Sequence, residues 1–504
     1  MSNGTSPGRG PFRPRGLTAV LSISLFGLTL LAGGPALGGE PLKTSYEVYG
    51  VSTAEEYVPG EVIVWFEDAV GVAAADATVA RLGASFAERS RVTPSRLVVS
   101  VPAGQEEAYA RKFAAADGVR LAEKNYILHA LWTPNDTYYQ HQWHYNKPNF
   151  IYAEEGWDLQ RGKKEVVVAV VDTGVAYENN AIPSNERDDV VGSSYVQAPD
   201  LAGTNFVPGY DFVNGDAHPN DQNGHGTHVA GTVAQTTNNA ANVAGLAHNC
   251  SIMPVQVLDY SGSGDTADVA DGIDFARTNG AHVITMSLGG PTPTETLRLA
   301  CDNAESAGVV VLAASGNAGA ASLYYPAGYG SVIAVGAVDY NGDLAYYSNY
   351  GNGQELVAPG GDTSVDLSGD GYPDGVLQMT YEQLYEPGPP EKKANVASFT
   401  NYFLQGTSMA CPHAAALAAL LISHGITDNN EVRRVLREST TDLGLSGIDA
   451  EYGYGLINCA AALRGETTER DECGNCGTLS LAHVFFFLGI YGAIFARRKL
   501  RKTK

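Results

Sequence analysis

The sequence predicts an α/β fold: a doubly wound, mostly parallel sheet with helices on both faces, preceded by a small α+β domain. The first observation is a set of continuous apolar, β-branched runs, which are typical of parallel strands buried on both faces. These runs lie at 165–171, 252–258, 283–287, 309–313, 332–338 and 356–358. The second observation is the helical pattern between them, at 226–235, 266–278 and 295–307. Alternating strands and helices indicate parallel strands joined by crossover helices.

The small α+β domain is predicted at residues 55–132. It begins with a turn and a strand at 57–66, and two further strands are expected at 96–101 and 126–131. Helical patterns occupy 76–84 and 105–115. The segment contains no catalytic constellation, and a polar junction beginning at Thr133 separates it from the larger domain, predicted at 134–465.

Both ends of the chain have the pattern of targeting segments. A basic stretch, an apolar run at 17–32 and several small residues predict a signal peptide at 1–39. A retained anchor is the alternative, although the run is shorter than the roughly 20 residues of a membrane span. At the other end, a linker at 466–478 containing Cys473-Gly-Asn-Cys476 precedes an apolar segment with a basic tail at 479–504. This segment is expected to be transmembrane or a sorting signal. We therefore expect an exported protein, secreted or held at the cell surface.

The net charge and the cysteine content bear on the partners of the protein and on its disulfides. A formal net charge of −23 disfavours nucleic acid as a partner, although solubility alone explains most of it. The six cysteines of an exported chain permit disulfides. We expect a Cys250–Cys301 bond, because both residues lie at element edges in the central domain. Cys411 lies in an apolar helical run and is expected to be a buried thiol. The Cys473–Cys476 pair is expected to form a local disulfide or a processing handle.

Two polar residues stand where doubly wound folds place their sites, at strand ends and helix starts. Asp172 ends the first central strand, where a carboxylate either caps the strand or orients a base. His225 lies between two glycines at a helix start, which leaves its imidazole unshielded. His228 is a rival base. The two histidines lack the intervening Glu of the zinc-protease motif, so the pair does not indicate zinc.

A serine and an asparagine complete the set. Ser408 follows Gly406 at the start of an apolar helix, with Pro412 expected in the first helical turn. The hydroxyl would lie beside free backbone N–H groups, which favour a developing negative charge. An N-cap serine is the alternative. Asn317 follows another buried strand and is either a turn residue or a side-chain donor to such a charge.

Together these segments resemble the subtilisin family of serine peptidases. The matching words are Val-Val-Asp172-Thr-Gly-Val, Asn-Gly-His225-Gly-Thr-His-Val-Ala-Gly-Thr, Ala-Ser-Gly-Asn317 and Gly-Thr-Ser408-Met-Ala-Cys-Pro-His. They occur in the family's order Asp, His, Asn, Ser. The resemblance covers about residues 134–463, and the preceding domain resembles an I9-type inhibitory propeptide. It implies a secreted, self-processed serine endopeptidase with Ser408 as nucleophile, His225 as base, Asp172 as its orienter and Asn317 as oxyanion donor.

The resemblance also implies where substrate binds. Polypeptide substrates would pair with the backbone at 287–290, and the primary pocket would have a second wall and a tyrosine near its floor. A strand followed by a glycine turn is the alternative for the first segment. The chain's own propeptide is the other expected partner, as an intramolecular inhibitor. The expected substrate-binding residues are Ser287, Leu288, Gly289, Gly290, Ala314, Ser315, Gly316 and Tyr324.

Calcium is the expected ion, with a structural role. One acidic loop resembles a calcium loop of the thermitase branch of the family. The other lies in an insertion at about 361–393, where closely spaced oxygens between glycines suit a hard cation. Exposed acidic turns are the alternative in both places. The expected ligands are Asp211, Asn214, Asp216 and Asp221 in the first loop and Asp366, Ser368, Asp370 and Asp374 in the second.

Two rival functions remain open on these residues. One is a catalytically silent relative that acts as a binding or scaffold protein, and the other is a dedicated processing peptidase with one partner substrate. All four catalytic positions carry competent residue types, which favours an active enzyme.

Overall fold

The computed structural model of the chain describes residues 57–126, 132–382, 384–385 and 392–467. These residues form two compact units that divide between Thr133 and Pro134. The signal-like segment, the larger part of the strand expected at 126–131, the Cys473–Cys476 pair and the apolar C-terminal segment lie outside the described residues.

The first unit is a four-stranded antiparallel sheet covered by two helices. Its strands follow the order β2-β3-β1-β4. Its core includes Val62, Val64 and Phe66, which alternate along β1 and point to one face of the sheet. The predicted α+β domain is confirmed, although β2 was not predicted and the last strand lies earlier than expected. The elements are β1 Tyr57–Phe66, α1 Val72–Arg81, β2 Ser85–Arg89, β3 Arg96–Ser100, α2 Glu106–Ala114 and β4 Val119–Tyr126.

The second unit begins with short helices and continues as a regular alternation of strands and helices. Its elements are α3 Trp143–Asn146, α4 Ala153–Leu159, β5 Val167–Asp172, β6 Asn180–Ala181, β7 Ser194–Tyr195, β8 Asn205–Phe206, β9 Tyr210–Asp211, α5 His225–Ala234, β10 Ser251–Gln256, α6 Thr266–Thr278, β11 Val283–Met286, α7 Glu295–Ser306, β12 Val310–Ala314, β13 Ile333–Val338, β14 Leu356–Pro359, β15 Val376–Tyr381, β16 Phe399–Leu404, α8 Thr407–His424, α9 Asn429–Glu438 and α10 Cys459–Arg464. Single 3₁₀ turns occupy Tyr139–His141 and Pro199–Leu201.

The main sheet is parallel throughout, with strand order β14-β13-β12-β11-β5-β10-β8 and β9 also pairing with β10. Every residue of β5 is buried, because α6 and α7 pack on one face of the sheet and α5 and α8 contact the sheet as well. The order reverses beside β5, between β10 and β11. A doubly wound sheet opens a crevice at such a point, beyond the carboxyl ends of the strands. The predicted fold class is confirmed.

An antiparallel hairpin of β15 and β16 lies outside the main sheet. It falls partly in the segment that we expected to be an insertion, and neither strand was predicted. The hairpin packs against α5, where the Thr380 hydroxyl donates to the Gly224 carbonyl (2.5 Å) and the Tyr381 hydroxyl donates to the Asp221 carbonyl (2.7 Å). The hairpin therefore supports the start of the helix that carries His225.

Helix α8 is apolar around nearly its whole circumference and is buried in the core of the second unit. In the described part of the chain, no single helix is long and apolar enough to cross a membrane. The pair α8 and α9 passes that test only together, with a bend of 118° between them.

The expected Cys250–Cys301 disulfide is wrong. Both residues are free, buried thiols: Cys250 lies with its sulfur 3.6 Å from the Ser423 hydroxyl, and Cys301 faces the core from α7. Each sulfur is enclosed by neighbours of its own, so sequence position at an element edge was a poor guide to proximity. Cys411 is a buried thiol, with its sulfur 3.4 Å from the Thr285 hydroxyl.

Candidate active site

Asp172 and His225 meet at the carboxyl edge of the sheet. Asp172 is the last residue of β5 and is fully buried, and one of its oxygens accepts from the Thr173 amide and from His225 Nδ1, both at 2.7 Å. Because a carboxylate only accepts hydrogen bonds, Nδ1 carries the proton and Nε2 is the basic nitrogen of the neutral ring. The imidazole is 27% exposed. A buried carboxylate thus fixes the ring of a solvent-accessible histidine.

The loop before His225 is held by Asp221. One oxygen of its carboxylate accepts from the Asn223 and Gly224 amides (2.9 and 2.8 Å), and the other accepts from the Thr227 amide (2.9 Å). Burial raises the pKa of this carboxyl. Asp221 was expected to bind calcium, but the structure uses it as an internal cap for α5 because these unpaired helix amides need an acceptor.

Two glycines let α5 approach its neighbours closely. Gly224 has φ +102°, which favours glycine, and a Cβ there would lie 2.4 Å from the Leu384 side chain. A Cβ on Gly226 would lie 2.1 Å from the Gly174 carbonyl oxygen and 3.2 Å from Asp172. The approach of α5 to the end of β5, and with it the contact of His225 with Asp172, therefore requires glycine at 226.

His228, the rival base, is fully buried. Its Nε2 lies 3.1 Å from the carbonyl oxygens of both Val376 and Tyr402, and burial lowers its pKa to about 3. This imidazole joins α5 to the β15–β16 hairpin and does not line the cavity that holds His225.

Ser408 is the second residue of α8 and lines the same cavity as His225. The volume of this cavity is about 900 Å³. Gly406, just before the helix, has φ +149°. The Ser408 hydroxyl donates to the Ser287 carbonyl at 3.1 Å, and the Ser287 hydroxyl donates back to the Ser408 carbonyl at 2.8 Å. The hydroxyl of the nucleophile candidate thus donates to the backbone just after β11 and not to the imidazole. Loose catalytic contacts of this kind are common in proteins without bound substrate.

Pro412 explains why the Ser287 hydroxyl donates to the Ser408 carbonyl. We expected Pro412 in the first helical turn, but it is the sixth residue of α8 and lies inside the helix. Proline has no amide hydrogen, so the carbonyl four residues earlier, that of Ser408, loses its helical donor. The Ser287 hydroxyl replaces that donor and ties the serine-bearing turn to the main sheet.

Asn317 lies just after β12 and also lines the cavity. Its side-chain oxygen accepts from the amide and the hydroxyl of Thr407, both at 2.8 Å. An amide hydrogen needs an acceptor, so this contact fixes which end of the Asn317 side chain is the oxygen. The NH₂ group is left for another partner beside the first turn of α8.

Most of the expected substrate-binding residues surround the cavity. Ser287, Leu288, Gly289, Gly290, Ala314, Gly316 and Tyr324 line it. Gly290 exchanges two backbone hydrogen bonds with Tyr325, so one side of this segment is already paired. Ser315 is the exception, because its side chain is buried and donates to the Asn349 carbonyl at 3.0 Å. Leu384 and Tyr385, which were not predicted, also line the cavity.

The expected calcium ligands do not converge. Across the ranges that the structure describes, no three His, Cys, Asp or Glu side chains are arranged to hold a metal ion. Asp221 serves α5, and Asp211 accepts from the amide and side chain of Asn214 (2.9 and 3.0 Å). In the second loop, Asp370 pairs with His141 Nδ1 at 2.7 Å. The other two aspartates there, Asp366 and Asp374, accept from backbone amides within the same loop. Calcium in either loop stays a prediction without structural support.

Sequence reasoning also missed a pair of buried carboxylates. Asp136 and Asp200 are both buried, and burial raises the pKa of both, that of Asp200 to about 6. Asp136 raises the pKa of Asp200 further by its negative charge, and Asp136 Oδ1 has no hydrogen-bond partner among the described residues. The two aspartates hold one loop, through the Asn238 amide and the Val243 amide. They lie over 60 residues apart in sequence, which explains why no motif revealed them.

His225 and Ser408 line one cavity, and the buried carboxylate of Asp172 bonds to the imidazole from behind it, an arrangement similar to that of serine hydrolases. A model of the subtilase family, peptidase S8, matches residues 163–455, more than half of the chain. The chain therefore belongs to the subtilase family. A model of the fervidolysin N-terminal prodomain matches residues 45–125. The predicted family, its propeptide and the enzyme class, a serine-type peptidase, are confirmed.

Known relatives cover both domains. The chain is 38% identical over 443 residues to a thermophilic serine proteinase of Bacillus sp. (strain AK1), an alignment that spans 88% of this chain and 96% of that protein. It is 37% identical to thermitase of Thermoactinomyces vulgaris over 66% of this chain and all of thermitase. Among solved structures, a protease from Pseudoalteromonas arctica shares 32% identity with a TM-score of 0.56, over 66% of this chain and 99% of that one.

Proposed function

We propose that this protein is a secreted serine endopeptidase that hydrolyses peptide bonds through Asp172, His225 and Ser408 and matures by removing its own prodomain. The observation that carries the proposal is the 2.7 Å bond between His225 Nδ1 and Asp172, at the edge of a cavity that Ser408 and Asn317 also line. Relatives named as a thermophilic serine proteinase and as Subtilisin Savinase (Lederbergia lenta, 39% identical) support the reaction class.

The first half of the reaction uses the three side chains in sequence. Ser408 Oγ attacks the carbonyl carbon of the scissile bond while His225 Nε2 takes the hydroxyl proton. Asp172 keeps the ring in the correct tautomer and stabilises the imidazolium. The substrate oxygen becomes an oxyanion that accepts from Asn317 Nδ2 and the Ser408 amide, which lies in the first turn of α8 and has no helical acceptor.

The second half reverses these transfers. The imidazolium of His225 gives its proton to the amine nitrogen as the C–N bond breaks, and an acyl group remains on Ser408. Water then loses a proton to His225 and attacks the acyl carbon. The peptide acid leaves as Ser408 recovers its proton.

Processing and export rest on the sequence outside the catalytic unit. The prodomain match, the α+β fold of residues 57–126 and the signal-like segment at 1–39 support a secreted precursor. The prodomain would act as an intramolecular inhibitor until it is cut off between about Leu131 and Tyr139. Cell-surface attachment through 479–504 stays a prediction.

Asp136 and Asp200 are the carboxylates that we propose would hold a structural calcium ion. Two buried carboxylates repel each other unless a cation or protons neutralise them, and an unpaired Asp136 oxygen supplies a hard donor. Such an ion would supply positive charge that holds the loop near Asn238 and Val243, and no catalytic step depends on it.

The test is the intact mass and N-terminal sequence of the secreted protein, compared between wild type and Ser408→Ala. We expect wild type to begin between Leu131 and Tyr139 and to hydrolyse peptides, and Ser408→Ala to remain a full precursor without hydrolysis. Ser193→Ala, which removes an exposed hydroxyl elsewhere, is the matched control and should behave as wild type. Normal processing in Ser408→Ala would instead favour a scaffold or processing by another protease.

A further inference from the structure

Two tyrosines from separate loops meet next to the loop that precedes His225. The rings of Tyr260 and Tyr385 are 5.4 Å apart between centroids and nearly perpendicular, at 87°. This edge-to-face geometry is the favourable one for aromatic pairs. Tyr260 follows β10 and Tyr385 follows β15, so the pair links two loops that are distant in sequence.

Asn223 lies beneath both tyrosines, two residues before His225. Its side-chain NH₂ donates to the Tyr260 carbonyl at 2.9 Å, and its own carbonyl accepts from the Tyr385 amide at 3.5 Å. Leu384, which is only 7% exposed, packs next to Gly224 in the same loop. The loop that carries His225 is therefore held between the two tyrosine-bearing loops.

Hydrogen bonds hold the described parts of both tyrosine-bearing loops. Asp259 organises the first loop, because one of its oxygens accepts from the Ser261 amide (2.8 Å) and the Ser263 amide (3.0 Å). The second loop is fixed where β15 is bonded to the start of α5, through Thr380 and Tyr381. A surface made of pre-organised aromatic rings loses little entropy on binding and can discriminate among side chains.

This surface lies on the histidine side of the cavity. Leu384, Tyr385 and Asn223 line the cavity with His225, while Gly289 and Gly316 line the walls expected for the primary pocket. Successive side chains of an extended peptide point to opposite sides. When one substrate side chain enters the primary pocket, the residues immediately before and after it point away from that pocket, toward His225 and the two tyrosines.

We infer that Tyr385, braced by Tyr260, is a specificity-determining residue that selects an apolar substrate side chain next to the residue in the primary pocket. The inference rests on the proposed peptidase function and adds the class of side chain preferred at the neighbouring position. Leu384 and the face of Tyr385 offer an apolar contact, and the nearby polar groups of Asn223 are already bonded to the two loops. A charged substrate side chain would lose part of its hydration against these apolar surfaces.

The experiment compares pairs of fluorogenic peptides that differ only in the residues beside the one in the primary pocket, leucine in one peptide and aspartate in the other. For the wild-type enzyme, kcat/KM should be higher for the leucine peptide than for the aspartate peptide. Tyr385→Ala should reduce this preference about tenfold, the effect of a lost apolar contact in a binding pocket. Tyr260→Ala should reduce it by a smaller factor, because Tyr385 remains but is no longer braced, and Tyr260→Phe should leave it unchanged.

Tyr177→Ala is the matched control, since this tyrosine makes a similar ring contact with Phe206 (5.5 Å between centroids) but does not line the cavity. It should keep the wild-type preference. A leucine preference within twofold of wild type in Tyr385→Ala would overturn the inference while the enzyme remains a peptidase. Absence of any hydrolysis by wild type, or hydrolysis that persists in Ser408→Ala, would instead overturn the proposed function itself.

Discussion

Replacing Gly226 by alanine should disable the enzyme by moving a helix and not by removing a catalytic group. The new Cβ would lie 2.1 Å from the Gly174 carbonyl oxygen, whereas ordinary contacts begin at 3.4 Å, so α5 must move more than an ångström from the loop that follows β5 unless that loop moves instead. His225 begins α5 and Asp172 ends β5, so their 2.7 Å bond would lengthen beyond hydrogen-bonding distance.

A misplacement of about 1 Å costs on the order of 10²-fold in rate. We therefore expect kcat/KM of Gly226→Ala for a fluorogenic peptide to fall about 100-fold. The free energy of unfolding, from urea titration, should fall by about 1–3 kcal/mol because of the overpacking. Gly330→Ala is the matched control, because a Cβ there meets no atom within 4 Å, and it should retain full activity. A folded Gly226→Ala enzyme with kcat/KM within threefold of wild type would refute the reasoning.

Three further predictions follow from contacts around the site, each measured in a Ser408→Ala background to prevent self-digestion. Ser287→Ala should lower the free energy of unfolding by about 0.5–1.5 kcal/mol, because the partly buried Ser408 carbonyl on α8 loses the hydroxyl that replaces its helical donor; an unchanged value in urea titration would contradict this. The folded-state pKa of His228, about 3, lies below the unfolded value of 6.5. The free energy of unfolding should therefore fall as the pH drops from 6.5 toward 3, by up to about 1.4 kcal/mol per pH unit. His228→Gln should make this dependence on pH less steep. Saturating Ca²⁺, about 100 times its Kd, should raise the unfolding free energy by about 2.7 kcal/mol, and Asp200→Asn should abolish the gain; equal calcium responses in both proteins would contradict the site.

Continuous burial made the main sheet predictable from sequence. The run ending at Asp172 and the runs at 252–258 and 309–313 lack polar residues at alternate positions, which only strands covered on both faces tolerate. The positions of Asp172 and His225 followed from the same pattern, because the carboxyl ends of parallel strands share one edge of the sheet.

Features that depend on distant partners were not predictable. Helix α8 begins at Thr407 because Asn317, 90 residues earlier, accepts from the amide of Thr407, and this start places Pro412 in the helix interior. In the sequence Asp221 resembles a metal ligand. Only the fold shows that its carboxylate accepts hydrogen bonds from backbone amides of the loop before His225. Tyr260 and Tyr385 carry no motif, and their pairing depends on the supporting hairpin.

The most direct test of the mechanism is a crystal structure of the mature enzyme after reaction with a peptidyl phosphonate, which forms a covalent bond only with an activated serine. We expect phosphorus on Ser408 Oγ, with a phosphonyl oxygen about 2.7–3.1 Å from Asn317 Nδ2 and from the Ser408 amide. His225 should lie between Ser408 and Asp172. A label on another residue, or a labelled Ser408 whose oxyanion points away from Asn317, would contradict the mechanism.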